Sequence, residues 1–431
     1  MIALSTDTRR IADAIDTTAP PLPAHIILAC LRAPDDVLSG LCAHPGVDWT
    51  RVAREAELHR VGLLALDRLQ RSGVVAGGHV PPAALARLRE ERREHVAQAI
   101  KLDAALHGVL EACSAAGIPV VVLKGLALAR LYPSPWLRPR SDLDLLIDPL
   151  HWAAADRVLT GMGYGLQDAE HVRRPLPGPR QAPDDRQYVR AADGTLIELH
   201  ADYLSTGLRR DGDARLWERV RMVEAQGRAI PVLEPGDAFL QAATHMQRHA
   251  YTRLLWFYDL LMLLRREGAG IAWPEVARRA ARAGVTTAAY YAISYTEALF
   301  GSAVPPAARG ALRPNPLQRR LHEGMWERQR ILSLDTDIIP RLDAMERARQ
   351  LPPTRFDAYD PPGRMLAHLL LSGNVRPKAA ALGHRLLPTE EWLRYNGPER
   401  VALYRLRLLV ARLGAASYSA GWPRRRRDAS G

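Results

Sequence analysis

The stretch Ser141-Asp142-Leu143-Asp144-Leu145-Leu146-Ile147 carries the residues best suited to chemistry. In an extended strand, residues two apart point the same way. Asp142 and Asp144 therefore project together, and Leu143, Leu145 and Ile147 turn to the opposite face. Two carboxylates so placed repel each other unless a cation offsets them. Arg140 is placed to offset one, whereas a divalent ion between them offsets both. Oxygen-only ligation suits Mg²⁺, which keeps several waters and takes one or two carboxylates plus substrate phosphates. A DxD pair alone is a weak signal, because exposed strands also carry acidic residues. Two other segments strengthen it. Thr195-Leu196-Ile197-Glu198-Leu199-His200 reads as a strand with Ile197 and Leu199 on one face and Glu198 with His200 on the other. Glu198 has the pattern of a third carboxylate ligand, the plain alternative being a solvent-facing side chain. Val122-Leu123-Lys124-Gly125 reads as a strand running into a tight turn. Glycine there lets backbone N–H groups approach phosphate oxygens, and Lys124 adds charge. Of 59 cationic residues only Lys101, Lys124 and Lys378 are lysines. A lysine retained against that bias fits a site that wants a compact point charge rather than a planar fork.

The elements that must position these groups follow from periodicity. Segments 26–31, 49–69 and 82–110 space their apolar residues by three and four, as amphipathic helices do. Asp48 is a suitable N-cap for the second of them. At Gly117 the pattern becomes β-branched. Strands are expected at 118–123 and 143–147, a short helix at 126–131, and a loop forced by Pro133, Pro135 and Pro139. A helix at 149–162 closes at Gly163, and a hairpin joins 187–191 to 195–200 around Asp193-Gly194. From Pro235 onward helices are expected at 236–249, 252–266, 273–300 and 316–333, then at 366–371 and 399–413. The fold class is α+β: a small mixed β-sheet core at 104–234 between a helical region at 1–103 and a second at 235–431, which ends in the basic run Arg424-Arg425-Arg426-Arg427.

Leu123-Lys124-Gly125, Tyr132-Pro133, Arg138-Pro139-Arg140-Ser141-Asp142-Leu143-Asp144-Leu145-Leu146-Ile147 and Glu198-Leu199-His200, in that order, resemble an uncharacterised nucleotidyltransferase family of the DNA polymerase β-like superfamily. His245-Met246-Gln247-Arg248-His249, Arg253, Trp256 and Asp259 are similar to that family's paired-helix segment. Trp49, Ala53 and His59, and Leu387-Pro388 with Trp392, are similar to its flanking segments. The chain departs from the family at Arg140, where a Met-like residue is usual, and at Ala201, where Trp is usual. It departs from the wider superfamily in having Lys-Gly rather than Gly-Ser at the first turn.

The resemblance implies a polymerase β-like nucleotidyltransferase core. It implies Mg²⁺-dependent transfer of an NMP group from an NTP, such as ATP, to an acceptor hydroxyl, with release of pyrophosphate and with Mn²⁺ as a substitute ion. Asp142, Asp144 and Glu198 would then be the catalytic and metal-binding carboxylates. Lys124, Gly125 and Ser141 would hold the triphosphate, and Arg138 would stabilise charge on it. His200, His245, His249 and Arg253 would line the nucleotide cleft. His245 and His249 lie one helical turn apart, but no third ligand follows at a recognised zinc offset. Trp256 and the apolar residues after it read as core. The implied acceptor is a small molecule, a peptide or protein side chain, or RNA.

Composition narrows the alternatives. With 47% apolar and 25% charged residues over 431 positions, the chain is neither disordered nor fibrous, and its length suggests about two to four domains. No apolar run approaches the ~20 residues of a membrane span, so no membrane partner is expected. The first residues lack a signal-type apolar core. Cys30, Cys42 and Cys113 are too few for a disulfide framework. These features together point to a reduced, cytoplasmic setting. A net charge of +12 favours anionic partners. A DxD glycosyltransferase would want a nucleotide-binding α/β half ahead of the motif, where this chain is helical. A catalytically inactive nucleotide-binding regulatory or interaction protein on the same fold would be freer to lose one of the three carboxylates. An RNA-binding module would show a recognition signature, and the aromatic fraction is only 6%.

Overall fold

A computed structural model describes residues 23–167, 185–204, 215–301, 304–325, 328–332 and 334. The helices expected at 366–371 and 399–413, the Leu387-Pro388 and Trp392 segment and the arginine run at 424–427 lie outside the described residues. The N-terminal helices are α1 (Pro23–Arg32), α2 (Asp35–Cys42), α3 (Trp49–Leu58), α4 (Gly62–Arg71) and α5 (Pro82–Ala115). Asp48 caps α3 as expected, its carboxylate accepting from Arg51 N at 2.9 Å. The single helix expected at 49–69 is two helices. Arg60 takes a left-handed backbone, φ 57°, and turns the chain between α3 and α4. The boundary expected at 103/104 falls inside α5.

The central sheet has seven strands in the order β3-β4-β5-β2-β1-β7-β6. These are β1 (Val120–Val122), β2 (Leu143–Ile147), β3 (Tyr164–Leu166), β4 (Asp185–Arg190), β5 (Thr195–His200), β6 (Arg221–Ala225) and β7 (Arg228–Val232). Helix α6 (Gly125–Ala129) follows β1, and α7 (Trp152–Gly161) follows β2. The pairs β2/β5 and β1/β7 are parallel and the rest antiparallel, so the sheet is mixed as expected. It is larger than expected, because β3, β6 and β7 escape a periodicity reading. β6 buries only Ala225, and β7 sets Pro231 between the buried Ile230 and Val232, so each offers too short and interrupted an apolar alternation to read as a core strand from sequence. Their hairpin turns through Gln226 and Gly227, both at positive φ (54° and 75°), the signature of a two-residue type I′ turn.

The two faces of the sheet bury different cores. Leu143, Leu145 and Ile147 pack with Leu102, Leu106 and Val109 of α5 and with Trp152 and Leu159 of α7. Val121, Leu123 and Leu146 join a second core built from both ends of the described chain. It includes α1–α4 together with α8 (Pro235–Arg248), α9 (Leu254–Glu267), α10 (Trp273–Ala283) and α11 (Thr286–Phe300). The helix expected at 273–300 is split into α10 and α11 by Gly284 in the left-handed region, φ 71°. Helices Pro306–Ala311, Pro316–Met325 and Arg328–Leu332 follow. No helix among the described residues is long and apolar enough to cross a membrane. Because strand residues alternate, Asp144 shares the face of Leu146 and looks toward the helices of this second core.

One buried acid in the N-terminal helices makes stability depend on pH. Gly62 opens α4 against the Glu91 carboxylate of α5, where a Cβ has no room. Burial pushes the Glu91 carboxyl up to about 7, with Glu57 adding repulsion against the partial relief from Arg60 and Arg87. Its folded value lies above its unfolded one. The contribution to stability is therefore complete below about 4.5 and is lost as pH rises through about 7. Glu91→Gln should match the parent near pH 4.5 and exceed it at pH 8 by about 2–3 kcal/mol. Urea unfolding at the two pH values measures this, and equal midpoints at pH 8 would disprove it.

Candidate active site

Register builds the site. β2 and β5 run parallel with Asp144 opposite Glu198 and Leu146 opposite His200. Residues paired across a parallel ladder face the same side, so Glu198 and His200 project with Asp144. Asp142 stands immediately before β2, partly exposed, on the same alternation. β1 delivers the turn from the other flank, where Leu123 N donates to Asp144 O at 2.9 Å. Lys124 then adopts φ 39°, ψ −119°, and Gly125 φ 24°, before α6 begins. A non-glycine residue at such a φ is strained, and such strain concentrates at functional sites. Here it swings the lysine side chain back over β2.

Lys124 Nζ lies 2.7 Å from Asp144 Oδ1, and His200 Nε2 lies 3.0 Å from the same oxygen. Burial opposes ionisation of Asp144, but the Lys124 ammonium and the His200 ring outweigh it and hold the carboxyl well below the usual range. Burial likewise works against the Lys124 charge, yet Asp144, with Asp142 and Glu198 behind it, raises the lysine pKa. Asp142 behaves oppositely. Burial and then repulsion from Asp144 and Glu198 push it up to about 6, against partial relief from Lys124 and Arg60. The three carboxylates thus carry more negative charge than the lysine balances, which is the condition a bound cation would relieve. Asp144, Glu198 and His200 each offer a ligand atom, all within 4.8 Å of one another, so these residues fit a metal ion. The donor set is two hard carboxylates and one imidazole.

The other expected residues are placed as follows. Ser141 is exposed, donates to Asp142 Oδ1 at 3.2 Å and accepts from Gln98 Nε2 at its carbonyl (3.3 Å). Arg138 is buried, and its Nε and Nη2 donate to the two oxygens of Asp259 at 2.7 and 2.9 Å. Tyr132 donates to the same carboxylate at 2.6 Å, so Asp259 clamps both ends of the proline-rich loop onto α9. Arg140, expected to offset one DxD carboxylate, instead forms a buried bidentate pair with Asp103 of α5. His245 and His249 pack together with ring centroids 4.5 Å apart, each 5.1 Å from the Trp256 ring. Arg253 lies over that indole at 5.7 Å. Burial, then Lys124 and His249, drives His245 well below its usual value, so it is a neutral imidazole. Trp256, read as core, is half-buried in this cluster, whereas Phe257 and Tyr258 are core.

Sequence reasoning missed two neighbours. Gln187 of β4 pairs with Glu198 across the hairpin and donates to its Oε1 at 2.6 Å. The hairpin register, once counted back from Asp193-Gly194, would have named it. Arg60, 81 residues upstream of Ser141, donates to Ser141 Oγ at 3.4 Å, and nothing in local sequence signals that contact.

No curated protein matches the chain. A family model described as uncharacterised nucleotidyltransferase matches residues 45–301, from just before α3 to the end of α11, and so spans every described strand and every residue of the cluster above. With more than half its length matched and the carboxylate-bearing strands inside the match, the chain belongs to this uncharacterised nucleotidyltransferase family.

Proposed function

We propose that the protein is a metal-dependent nucleotidyltransferase. An acceptor hydroxyl attacks the α-phosphorus of a nucleoside triphosphate, the new O–P bond forms as the Pα–O–Pβ bond breaks, and pyrophosphate leaves. The observation that carries this reading is the parallel register that seats Glu198 beside Asp144, in a chain of this family. Asp144, Glu198 and His200 would hold the cation, and Asp142 would join them once positive charge relieves its repulsion. Mg²⁺ suits the carboxylates, and the imidazole nitrogen also admits Mn²⁺. A bound divalent ion would polarise the phosphate oxygens and ease deprotonation of the acceptor.

The chain's own residues supply the rest. Lys124 carries its charge beside Asp144, where it would meet the triphosphate. Gly125 and Ser141 offer backbone and hydroxyl donors beside it. Glu198, oriented by Gln187, is the base that takes the acceptor proton. His245, His249, Trp256 and Arg253 form a partly exposed aromatic and cationic cluster that would meet the sugar and base of the nucleotide. Arg138 acts by holding the loop into β2 through Asp259 rather than by gripping phosphate, because its fork is already occupied. The acceptor class is a small hydroxyl compound, a peptide or protein, or RNA.

The test is incubation with Mg²⁺, each α-labelled NTP in turn (ATP first), and panels of the three acceptor classes. Pyrophosphate release with at least one NTP, stopped by chelation and restored by Mg²⁺ or Mn²⁺, is expected. Triphosphate binding without release under any metal would mark an inactive nucleotide-binding protein and overturn the assignment.

A further inference from the structure

Helix α3 ends in a Schellman turn. Arg60 N donates to Glu57 O at 2.8 Å and Val61 N to Ala56 O at 2.8 Å. Arg60 occupies the left-handed position of that turn, φ 57°. Glycine is the usual residue there, because a Cβ crowds the neighbouring carbonyl. A long side chain kept at such a position indicates a task for the side chain itself.

The turn is also held by α9, 195 residues further along the chain. His59, 2% exposed, accepts from Leu254 N at its ring Nδ1 (3.3 Å) and from Leu255 N at its carbonyl (3.2 Å). It thereby satisfies two of the amide groups that open α9. Burial lowers the His59 pKa to about 4, so the ring stays neutral and its Nδ1 remains an acceptor. Clamped in this way, Arg60 is aimed at the site. Its Nη1 reaches Ser141 Oγ at 3.4 Å, beside the start of β2.

We propose that Arg60 is a substrate-contacting residue that grips the triphosphate of the incoming nucleotide beside Ser141; this rests on the function proposed above. A guanidinium fork matches two phosphate oxygens at once, which a point charge such as Lys124 does not. The N-terminal helical region would then be part of the nucleotide site rather than an appendage to the sheet.

The experiment compares the parent with Arg60→Gly and Arg60→Lys, reading thermal unfolding, affinity for a fluorescent triphosphate analogue with Mg²⁺, and KM and kcat for pyrophosphate release. Glycine relieves the left-handed strain, so Arg60→Gly should melt no lower than the parent. Its affinity for the triphosphate should nevertheless fall at least about tenfold, with KM rising to match. Arg60→Lys should recover part of that affinity. A merely structural arginine predicts the reverse, a lower melting temperature with unchanged KM, and that result overturns the assignment. Parent-like affinity in Arg60→Gly overturns it too, while leaving the proposed function standing. A parent protein that neither binds triphosphate nor releases pyrophosphate removes both.

Discussion

Asp144→Asn should lower nucleotidyl transfer by about 10³-fold or more. One carboxylate oxygen of Asp144 receives both the Lys124 ammonium and the His200 ring, at 2.7 and 3.0 Å, and the same group lies within 4.8 Å of the Glu198 and His200 ligand atoms. Asparagine keeps the shape but removes the charge a divalent cation needs, and several kcal/mol of transition-state stabilisation go with it. It also leaves a buried ammonium without its counter-charge, so Asp144→Asn should melt below the parent. Asp142→Asn separates the two effects. Asp142 is repelled by Asp144 and Glu198, so its neutral replacement should melt no lower than the parent and yet lose transfer to a similar degree. Label transfer from α-labelled NTP and circular-dichroism melting of both variants decide the matter. Parent-level transfer by Asp144→Asn would remove the carboxylate from the chemistry.

Asp259→Ala should destabilise the fold by about 3–5 kcal/mol, the cost of stripping one partner from a buried ion pair. Asp259 is 3% exposed, Arg138 is 7% exposed, and Tyr132 donates to the same carboxylate. Removing it strands a buried guanidinium and a buried hydroxyl together. The loop between Tyr132 and β2 hangs from this clamp and leads directly into Asp142, so activity should drop with stability. Arg138→Met should recover much of the lost stability in the double variant, because an apolar side chain asks for no counter-charge. Urea midpoints of the four members of this cycle measure it. A loss below about 1 kcal/mol for Asp259→Ala would show that the clamp is not what holds the loop.

Local chemistry made much of this protein legible from its residues alone. Pattern and spacing located β1, β2, the β4–β5 hairpin, the Asp48 cap and most of the described helices on either side of the sheet. Strand alternation predicts that Leu143, Leu145 and Ile147 face a core opposite Asp144, and they do. These features depend on neighbours within a few positions, where period and turn chemistry suffice. β6 and β7 did not declare themselves, because charged residues interrupt the one and Pro231 the other, and their place in the sheet comes from pairing with each other and with β1.

Long-range pairing decided the rest. Nothing within β2 says that its arginine neighbours are already taken, Arg140 by Asp103 and Arg138 by Asp259. A cation's partner depends on which helix lies over it, and that is set by packing across more than thirty or a hundred residues. For the same reason Arg60 and Gln187 joined the site only once the helices and the hairpin were in place. Sequence could name the three carboxylates and the lysine as one chemical set. Only the folded chain, by pairing β2 with β5 in parallel and turning Lys124 back over Asp144, could bring ligand atoms of Asp144, Glu198 and His200 within 4.8 Å of one another with the lysine beside them, because distance between strands is a property of the sheet and not of either strand.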